Sequence, residues 1–426
     1  MPLSKFVLRP GIDREGTSYD TEGGWFDVNL VRFNKGRPQK IGGWRKDNEN
    51  TFLGTCRALF SWVSLPGAKY LGLGTTNKYY VEEGGITYTD ITPLRSTTGS
   101  NEISFSATNG SSTLTVTDSA HGAVIGDFVT FSGCVSLGGN ITAAVLNQEY
   151  EIQSVTNSNV YTITAKNTSG ATVTANASDS GNGQGTVIGK YQINVGLDVY
   201  VSSTGWGVNT WGASGWGSSN ALDVTNQLRL WSHDNFGEDL IFGPRGGAIY
   251  YWEAGAGLSS RAVELSTLPG ASGAPTTQNF LEISDINRFV FAFGANEFGT
   301  SIVNPMLVRW SDQGSAINWT PSSTTQAGFL TLSRGSEIVT AKQARQEVLV
   351  WTDSALYAMQ YVGAPVVWSA QLVGDNISIA GQNAVAYSNG VAYWMGKDKF
   401  YKYDGRTQPL RCDLRKFIFD DFNTQQ

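Results

Sequence analysis

Several things are scarce in this 426-residue chain. It has two histidines, His121 and His233, and three cysteines, Cys56, Cys134 and Cys412, far apart and without a Cys-x-x-Cys spacing. An odd, scattered set of thiols argues against a disulfide framework and a zinc site, and fits assembly in a reducing cytoplasm. Charged residues make up only 15% of the chain, against about 25% in an average domain. No run approaches the roughly 20 apolar residues of a membrane span. The opening Met-Pro-Leu-Ser-Lys-Phe-Val-Leu-Arg-Pro has no apolar core of signal-peptide length. Helix-period runs rich in Ala, Glu, Lys and Leu are missing, which points to a mainly β chain. Metalloprotease, nucleophile-elbow, P-loop and EF-hand patterns are missing too, so neither metal nor cofactor is expected.

The remaining chemistry-bearing residues read as structural. His121 lies in Ala120-His-Gly122-Ala, and His233 in Ser232-His-Asp234-Asn, read as a strand-end turn. A histidine beside an acid is more often a satisfied turn residue than a triad member. Asp239, Glu253 and Asp353 lie in or beside expected turns, where solvated acids are ordinary. The carboxylate spacing that marks a glycosidase belongs to the fold and cannot be read from sequence. Ser311-Asp312-Gln-Gly-Ser-Ala-Ile-Asn-Trp319 is close to an Asp-box without matching its spacing, and such a box staples a blade turn.

Abundant instead are glycine, at 50 residues, and aromatics, at 12%. They recur in one phrase: an apolar strand, a tight polar turn, an aromatic strand. It reads Leu240-Ile-Phe242 to Ile249-Tyr-Tyr-Trp252, then Val348-Leu-Val-Trp351 to Leu356-Tyr-Ala-Met359, then Val391-Ala-Tyr-Trp394 to Phe400-Tyr-Lys-Tyr403. Tyr70–Val81 fits the same template, and Phe289–Phe293 with Met306–Trp310 follows it more loosely. Units repeating at roughly 40–50 residues are the sequence form of β-propeller blades. The expected fold is a propeller-like body of antiparallel blades carrying an inserted small β-sandwich or barrel.

Composition divides the chain. Residues 1–46 read as an extended arm containing a hairpin, Asn29–Phe33 against Gln39–Ile41. They hold nine Lys/Arg against five Asp/Glu. Residues 47–97 form a first blade-like unit. Residues 98–190 lack Trp, hold two Lys/Arg against six Asp/Glu, and alternate with period two, as in Leu114-Thr-Val116 and Val160-Tyr-Thr-Ile163. They read as the inserted domain, expected to project as a solvated appendage. Blades fill 191–412, and 413–426 suggests a short helix and tail. The loop 205–217 places Trp206, Trp211 and Trp216 five apart among glycines, neither a strand nor a helix period. Each ring needs a pocket: the chain's own surface, a neighbouring subunit, or a sugar.

The formal net charge of −6 speaks against holding nucleic acid through broad phosphate neutralisation. It suits a surface that DNA passes without sticking.

The opening Leu8-Arg-Pro-Gly-Ile-Asp-Arg-Glu-Gly-Thr-Ser-Tyr19-Asp-Thr-Glu-Gly-Gly-Trp25-Phe-Asp27 and Leu30-Val-Arg-Phe-Asn-Lys-Gly-Arg-Pro-Gln-Lys-Ile-Gly-Gly-Trp44 resemble the head of tail proteins from short-tailed, podovirus-type bacteriophages. The Trp-Gly loop, Val308-Arg-Trp-Ser-Asp312, His121-Gly-Ala-Val-Ile-Gly-Asp-Phe-Val129 and Phe417-Ile-Phe-Asp-Asp-Phe-Asn423 are similar to phrases in the same proteins. Proteins with that last phrase usually continue past it with further strands, whereas this chain stops at Gln426.

The resemblance implies a non-enzymatic tail nozzle or hub subunit. It would form a ring, commonly a hexamer, below the portal and adaptor, and would retain packaged DNA and conduct it at ejection without sequence recognition. Its implied partners are itself, adaptor- and portal-side proteins, and tail fibres or tip proteins. Its implied place is the virion tail, assembled in the bacterial cytoplasm. Candidate assembly contacts are Trp25, Arg32, Lys35, Arg37, Lys40, Trp44, Trp206, Trp211 and Trp216. The rival readings are a host-glycan-binding propeller gripping sugar through the Trp loop, and a propeller glycosidase.

Overall fold

The computed structural model describes residues 8–46, 49–181, 186–194, 228, 230–420 and 422. Strand accounts for 44% of the chain and helix for 4%, so the mainly β expectation holds. Among the described residues, five four-stranded antiparallel sheets follow one another, each ordered in sequence. Blade 1 begins with Cys56–Val63, blade 2 with Trp231–Phe236, blade 3 with Phe280–Ser284, blade 4 with Ile338–Gln343 and blade 5 with Val385–Ser388. These first strands neighbour one another from blade to blade and form the inner wall of a propeller.

The apolar pattern of each strand follows from what lies on its two faces. In blade 3, Phe289, Phe291 and Phe293 pack toward blade 4, while Val290 and Ala292 pack toward blade 2. Blade 4 repeats this, with Val348 and Val350 facing blade 3 and Leu349 and Trp351 facing blade 5. A strand buried on both faces must read as a continuous apolar run, and these do. Blades 1 and 5 differ. In Cys56–Val63 only the Ala58, Phe60 and Trp62 side packs on blade 2, and Leu59 (60% exposed) and Val63 (58%) face away. In Val391–Met395, Ala392 and Trp394 pack on blade 4, and Tyr393 is 42% exposed. Apolar cores join blades 1–2, 2–3, 3–4 and 4–5. Among the described residues none joins blade 5 to blade 1.

Between blades 1 and 2 the chain forms a separate two-sheet unit, with strands from Leu94–Thr97 to Ile188–Gln192. Its four- and five-stranded sheets enclose a core of their own, including Phe105, Phe131, Tyr150 and Tyr161. Inside that core the Tyr161 and Tyr191 hydroxyls lie 2.8 Å apart, and Tyr191 donates to Asp118 at 2.6 Å. The unit is tied to the propeller at its base. Lys78 of blade 1 reaches Asp90 at 2.9 Å and Glu149 at 2.5 Å, Gln192 donates to Glu149 at 2.6 Å, and Arg261 reaches Asp90 at 3.0 Å.

The N-terminal hairpin pairs Val31–Asn34 with Arg37–Lys40 across Lys35-Gly36. Both turn residues have positive φ (49° and 77°), the signature of a two-residue type I′ turn. The connection is therefore tighter than the five-residue turn the sequence suggested. The arm docks on the short helix Arg415–Phe419: Arg14 N–H donates to the Asp413 carbonyl at 2.9 Å, and the Arg14 guanidinium lies 4.3 Å from the Phe417 ring centre. No helix among the described residues is long and apolar enough to cross a membrane.

Candidate functional site

The inner strand of a propeller blade presents one hydrogen-bonding edge to the axis, where no further strand satisfies it. Here side chains of the preceding blade accept from those edge amides. Ser232 Oγ of blade 2 accepts from Leu281 N–H of blade 3 at 3.0 Å, and Asp234 Oδ2 accepts from Ile283 N–H at 3.1 Å. Glu282 Oε1 of blade 3 accepts from Gln343 N–H of blade 4 at 2.7 Å and from Lys342 Nζ at 3.1 Å. Blade 5 returns to blade 2 through Gln382 Nε2, which donates to the Trp231 carbonyl at 3.1 Å.

These groups border an axial cavity of about 220 Å³ to which all five blades contribute. Its polar lining includes Ser232, His233, Asp234, Glu282, Lys342 and Asn383. Burial pushes Asp234 up to about 8, with the Glu282 charge adding to the effect and Lys342 opposing it. Burial also raises Glu282, against the stabilising charge of Lys342. Lys342 is raised by its partner Glu282.

His233 was read as a turn residue; it sits inside the strand Trp231–Phe236, paired with Phe242. Alternation aims its ring at blade 1, where Nδ1 lies 2.7 Å from the Tyr79 hydroxyl and the ring lies against Phe60. Burial, and secondarily Lys342, lowers it to about 4. A neutral imidazole so placed accepts from Tyr79, whose own phenol burial raises well above its usual value. His121 is likewise occupied in the insert: its Nδ1 accepts from Ala123 N–H at 2.9 Å, and Nε2 lies 3.1 Å from the Asn157 carbonyl.

The isolated acids are turn staples. Asp239 accepts from Tyr251 Oη and Ala254 N–H, and Asp353 accepts from both the N–H and the hydroxyl of Ser336. In the Asp-box-like turn, Asp312 Oδ1 accepts from Gln313 and Gln326 N–H, and Trp319 is buried in the core between blades 2 and 3. Among the described residues no three His, Cys, Asp or Glu side chains are grouped to hold a metal ion.

The proposed assembly residues divide three ways. Trp25 is partly buried, bridged to Ile12 and edge-on to Phe33 at 6.0 Å, so it holds the arm's own fold. Arg32, Lys35, Arg37 and Lys40 are each exposed on the hairpin, with Arg32 and Arg37 on one face and Lys40 on the other, and Trp44 is fully exposed. Trp206, Trp211 and Trp216 lie outside the described residues. What sequence reading missed is the axial group Asp234, Glu282, Thr340 and Lys342, and the junction Lys78–Asp90–Glu149. Each depends on partners in other blades or sheets, and the sole local signal was a charged residue placed inside an apolar strand.

No family model and no curated protein matches the chain. Among solved structures, a phage phi92 endosialidase is similar at 14% identity and a TM-score of 0.26, over 84% of this chain and 55% of that one. PorZ, a bacterial surface component of the type-IX secretion system of Porphyromonas gingivalis, is similar at 9% identity and a TM-score of 0.29. That match covers 89% of this chain and 41% of PorZ. The chain thus spans about half the length of these structures.

Proposed function

We propose that this protein is a structural subunit of a short phage tail, a nozzle or hub component assembled as a cyclic ring, most simply a hexamer. Below the portal and adaptor it would retain packaged DNA and conduct it at ejection. The observation that carries the reading is the seam between blades 5 and 1. Two sheet faces there keep Leu59, Val63 and Tyr393 exposed with no shared core. Exposed apolar faces of this kind suit an assembled part better than a free monomer. The arm adds a second element of the same kind, with bare Trp44 and four exposed cations beside an otherwise acidic chain. The resemblance of residues 8–44 to short-tailed phage tail proteins supplies the identity of the assembly.

Adaptor- and portal-side proteins, and tail fibres or tip proteins, are the partners this reading requires. A lumen that passes DNA should be neutral to acidic, because a continuous basic wall would retain it through counterion release. The reading treats the chain as non-enzymatic: the axial carboxylates are occupied by edge amides and Lys342.

The deciding experiment replaces Trp206, Trp211 and Trp216 with Ala in the phage and images the particles. A nozzle subunit gives particles that lack tails or lose DNA. Normal particles that fail to adsorb would support the glycan-binding reading instead, and cleavage of host polysaccharide by purified protein would support the glycosidase reading.

A further inference from the structure

Blade 5 packs one face on blade 4 and leaves the other to solvent. Register pairs Ala386 with Tyr393, and Met395 with Phe400 and Leu410, so strand alternation puts all five on the face away from blade 4. They line an apolar depression of about 320 Å³ with no charged residue in its wall. Asn383, exposed, adds one amide to its rim. The Phe419 ring of the C-terminal helix lies beside Phe400, at 5.4 Å, and leaves Tyr393 42% exposed. The arm has the converse problem. Its hairpin is a sheet of only two strands, and such a pair is marginal in water unless it packs on something more. The Phe33 side is taken by Trp25 of the same arm. Leu30, Ile41 and Trp44, at and beyond the hairpin's open end, stay exposed, Trp44 completely.

We propose that the depression on blade 5 receives Trp44 from the arm of a second copy of this chain. The proposal rests on the ring reading for the neighbour being another copy, and deepens it by naming the contact. Chemistry fits the two halves: an indole is a large apolar body with one N–H, and the depression is an apolar bed with the Asn383 amide oxygen at its rim. Charge selects arm on body. Two chains of net charge −6 repel, but residues 1–46 hold nine Lys/Arg against five Asp/Glu, a surplus of four that leaves −10 on the rest. An arm laid on another copy's blades therefore joins opposite signs. Tethering selects a neighbour over the chain's own depression. Asn50 Nδ2 donates to the Ile86 carbonyl, and Phe52 lies edge-on to Tyr88 at 5.3 Å, which fastens the chain to blade 1. Asn50 is six residues past Trp44, a reach of at most about 20 Å. Ile86 follows the third strand of blade 1, whereas the depression borders the turn after the second strand of blade 5. Each blade zigzags outward from its inner strand, so these two turns lie at opposite ends of the propeller. Arm and depression are different surfaces, so each copy gives one and accepts one, the head-to-tail arrangement that closes into a ring.

The test uses the full chain and sedimentation equilibrium. Wild type should associate with a dissociation constant in the micromolar range. Trp44→Ala removes the anchor, and Ala386→Arg puts a long cation into the depression from an exposed position. Each should weaken association by about tenfold or more, the scale of an aromatic hot spot. Circular dichroism melting confirms that both variants are folded. Mixed in equal amounts they should complement, because the Trp44→Ala chain keeps its depression and the Ala386→Arg chain keeps its tryptophan. The mixture should form a heterodimer at wild-type affinity and nothing larger. A photo-cross-linking residue at position 44 should attach to residues 386–410 of a different copy. A wild-type chain monomeric at about 200 µM, association unchanged in both variants, failed complementation, or a cross-link confined to its own chain would overturn the proposal. In the phage, a complete ring built from Ala386→Arg chains would remove this contact and leave the ring reading standing. Wild-type particles without a ring would remove that reading, and the solution measurements would then judge the contact alone.

Discussion

Lys78 and Glu149 meet at 2.5 Å across the boundary between blade 1 and the inserted unit. The lysine side chain is 4% exposed and the glutamate 31%, so a nearly buried ammonium on the propeller is neutralised partly by a residue from another domain. Asp90 completes the neutralisation at 2.9 Å, its carboxyl held below the usual range by Lys78 and Arg261 despite the opposing cost of burial. The insert was expected to behave as a solvated appendage; this contact makes its base part of blade 1.

Glu149→Gln should therefore lower the stability of the blade 1–insert junction by about 2 kcal/mol, the scale of one charge-assisted hydrogen bond. Chemical denaturation read by tryptophan fluorescence reports it, because the insert from 98 to 190 has no Trp and the signal comes from the blades. Replacing residues 94–192 with a short linker should leave the blades folded. Combining that excision with Lys78→Met should give the more stable protein, since it removes a buried charge left with Asp90 alone. Aggregation of both excised forms would show that the insert is integral to the fold.

The axis carries a pH dependence whose sign follows from two residues. Unfolded carboxyls titrate near about 4 and unfolded imidazole near about 6.5. Asp234, raised to about 8, binds its proton in the fold after the unfolded chain has released it. Its contribution is full at low pH and is lost as pH rises toward 8. His233, lowered to about 4, acts oppositely, and its contribution grows between about 4 and 6.5. The two offset each other in that window. Above about 6.5 His233 no longer offsets the loss, and stability should fall by about 1.4 kcal/mol per pH unit from Asp234 until about 8, with the raised carboxyl of Glu282 acting in the same direction. Urea unfolding at a series of pH values should show this decline in wild type and a flattened profile in Asp234→Asn. An identical slope in both would count against the assignment.

Gly74 lies under Trp231 between blades 1 and 2, where an added Cβ would sit 2.5 Å from the indole. Trp231 cannot withdraw easily, because its Nε1 donates to the Thr75 carbonyl at 2.7 Å and its side chain is fully buried. Gly74→Ala should destabilise the protein by about 1–3 kcal/mol through overpacking. The comparable change at Gly84, with open space around its Cβ position but φ of 65°, should cost about 1 kcal/mol through backbone strain alone. Thermal melts of the two variants separate packing from conformation.

Trp44 is wholly exposed and touches no core, so Trp44→Ala should change subunit stability by less than about 0.5 kcal/mol. In the phage, the same substitution should reduce incorporation into particles if the arm reaches a neighbour or the adaptor. Deleting residues 1–30, which removes the contacts of Arg14 and Glu15 with the C-terminal segment, should abolish incorporation. Full incorporation of both forms, quantified from purified particles, would remove the arm from the assembly argument.

Much of the fold was legible along the chain. Phe289–Phe293 and Val348–Thr352 are unbroken apolar runs because a blade stands on either side of each, whereas Cys56–Val63 alternates because only one blade does. Burial on one face or two is written directly into the hydrophobic period, so local sequence determined the strands, the repeat and even which blades flank the seam. The axial site was not legible, for a geometric reason. Asp234 binds an amide 49 residues away, and Glu282 one that is 61 residues away. Side-chain patterns record which face of a strand is apolar, but not which distant backbone edge a lone carboxylate will meet. That pairing exists only once five inner strands converge on one axis, and there tertiary structure alone decided that ordinary-looking acids and a lysine would share a cavity.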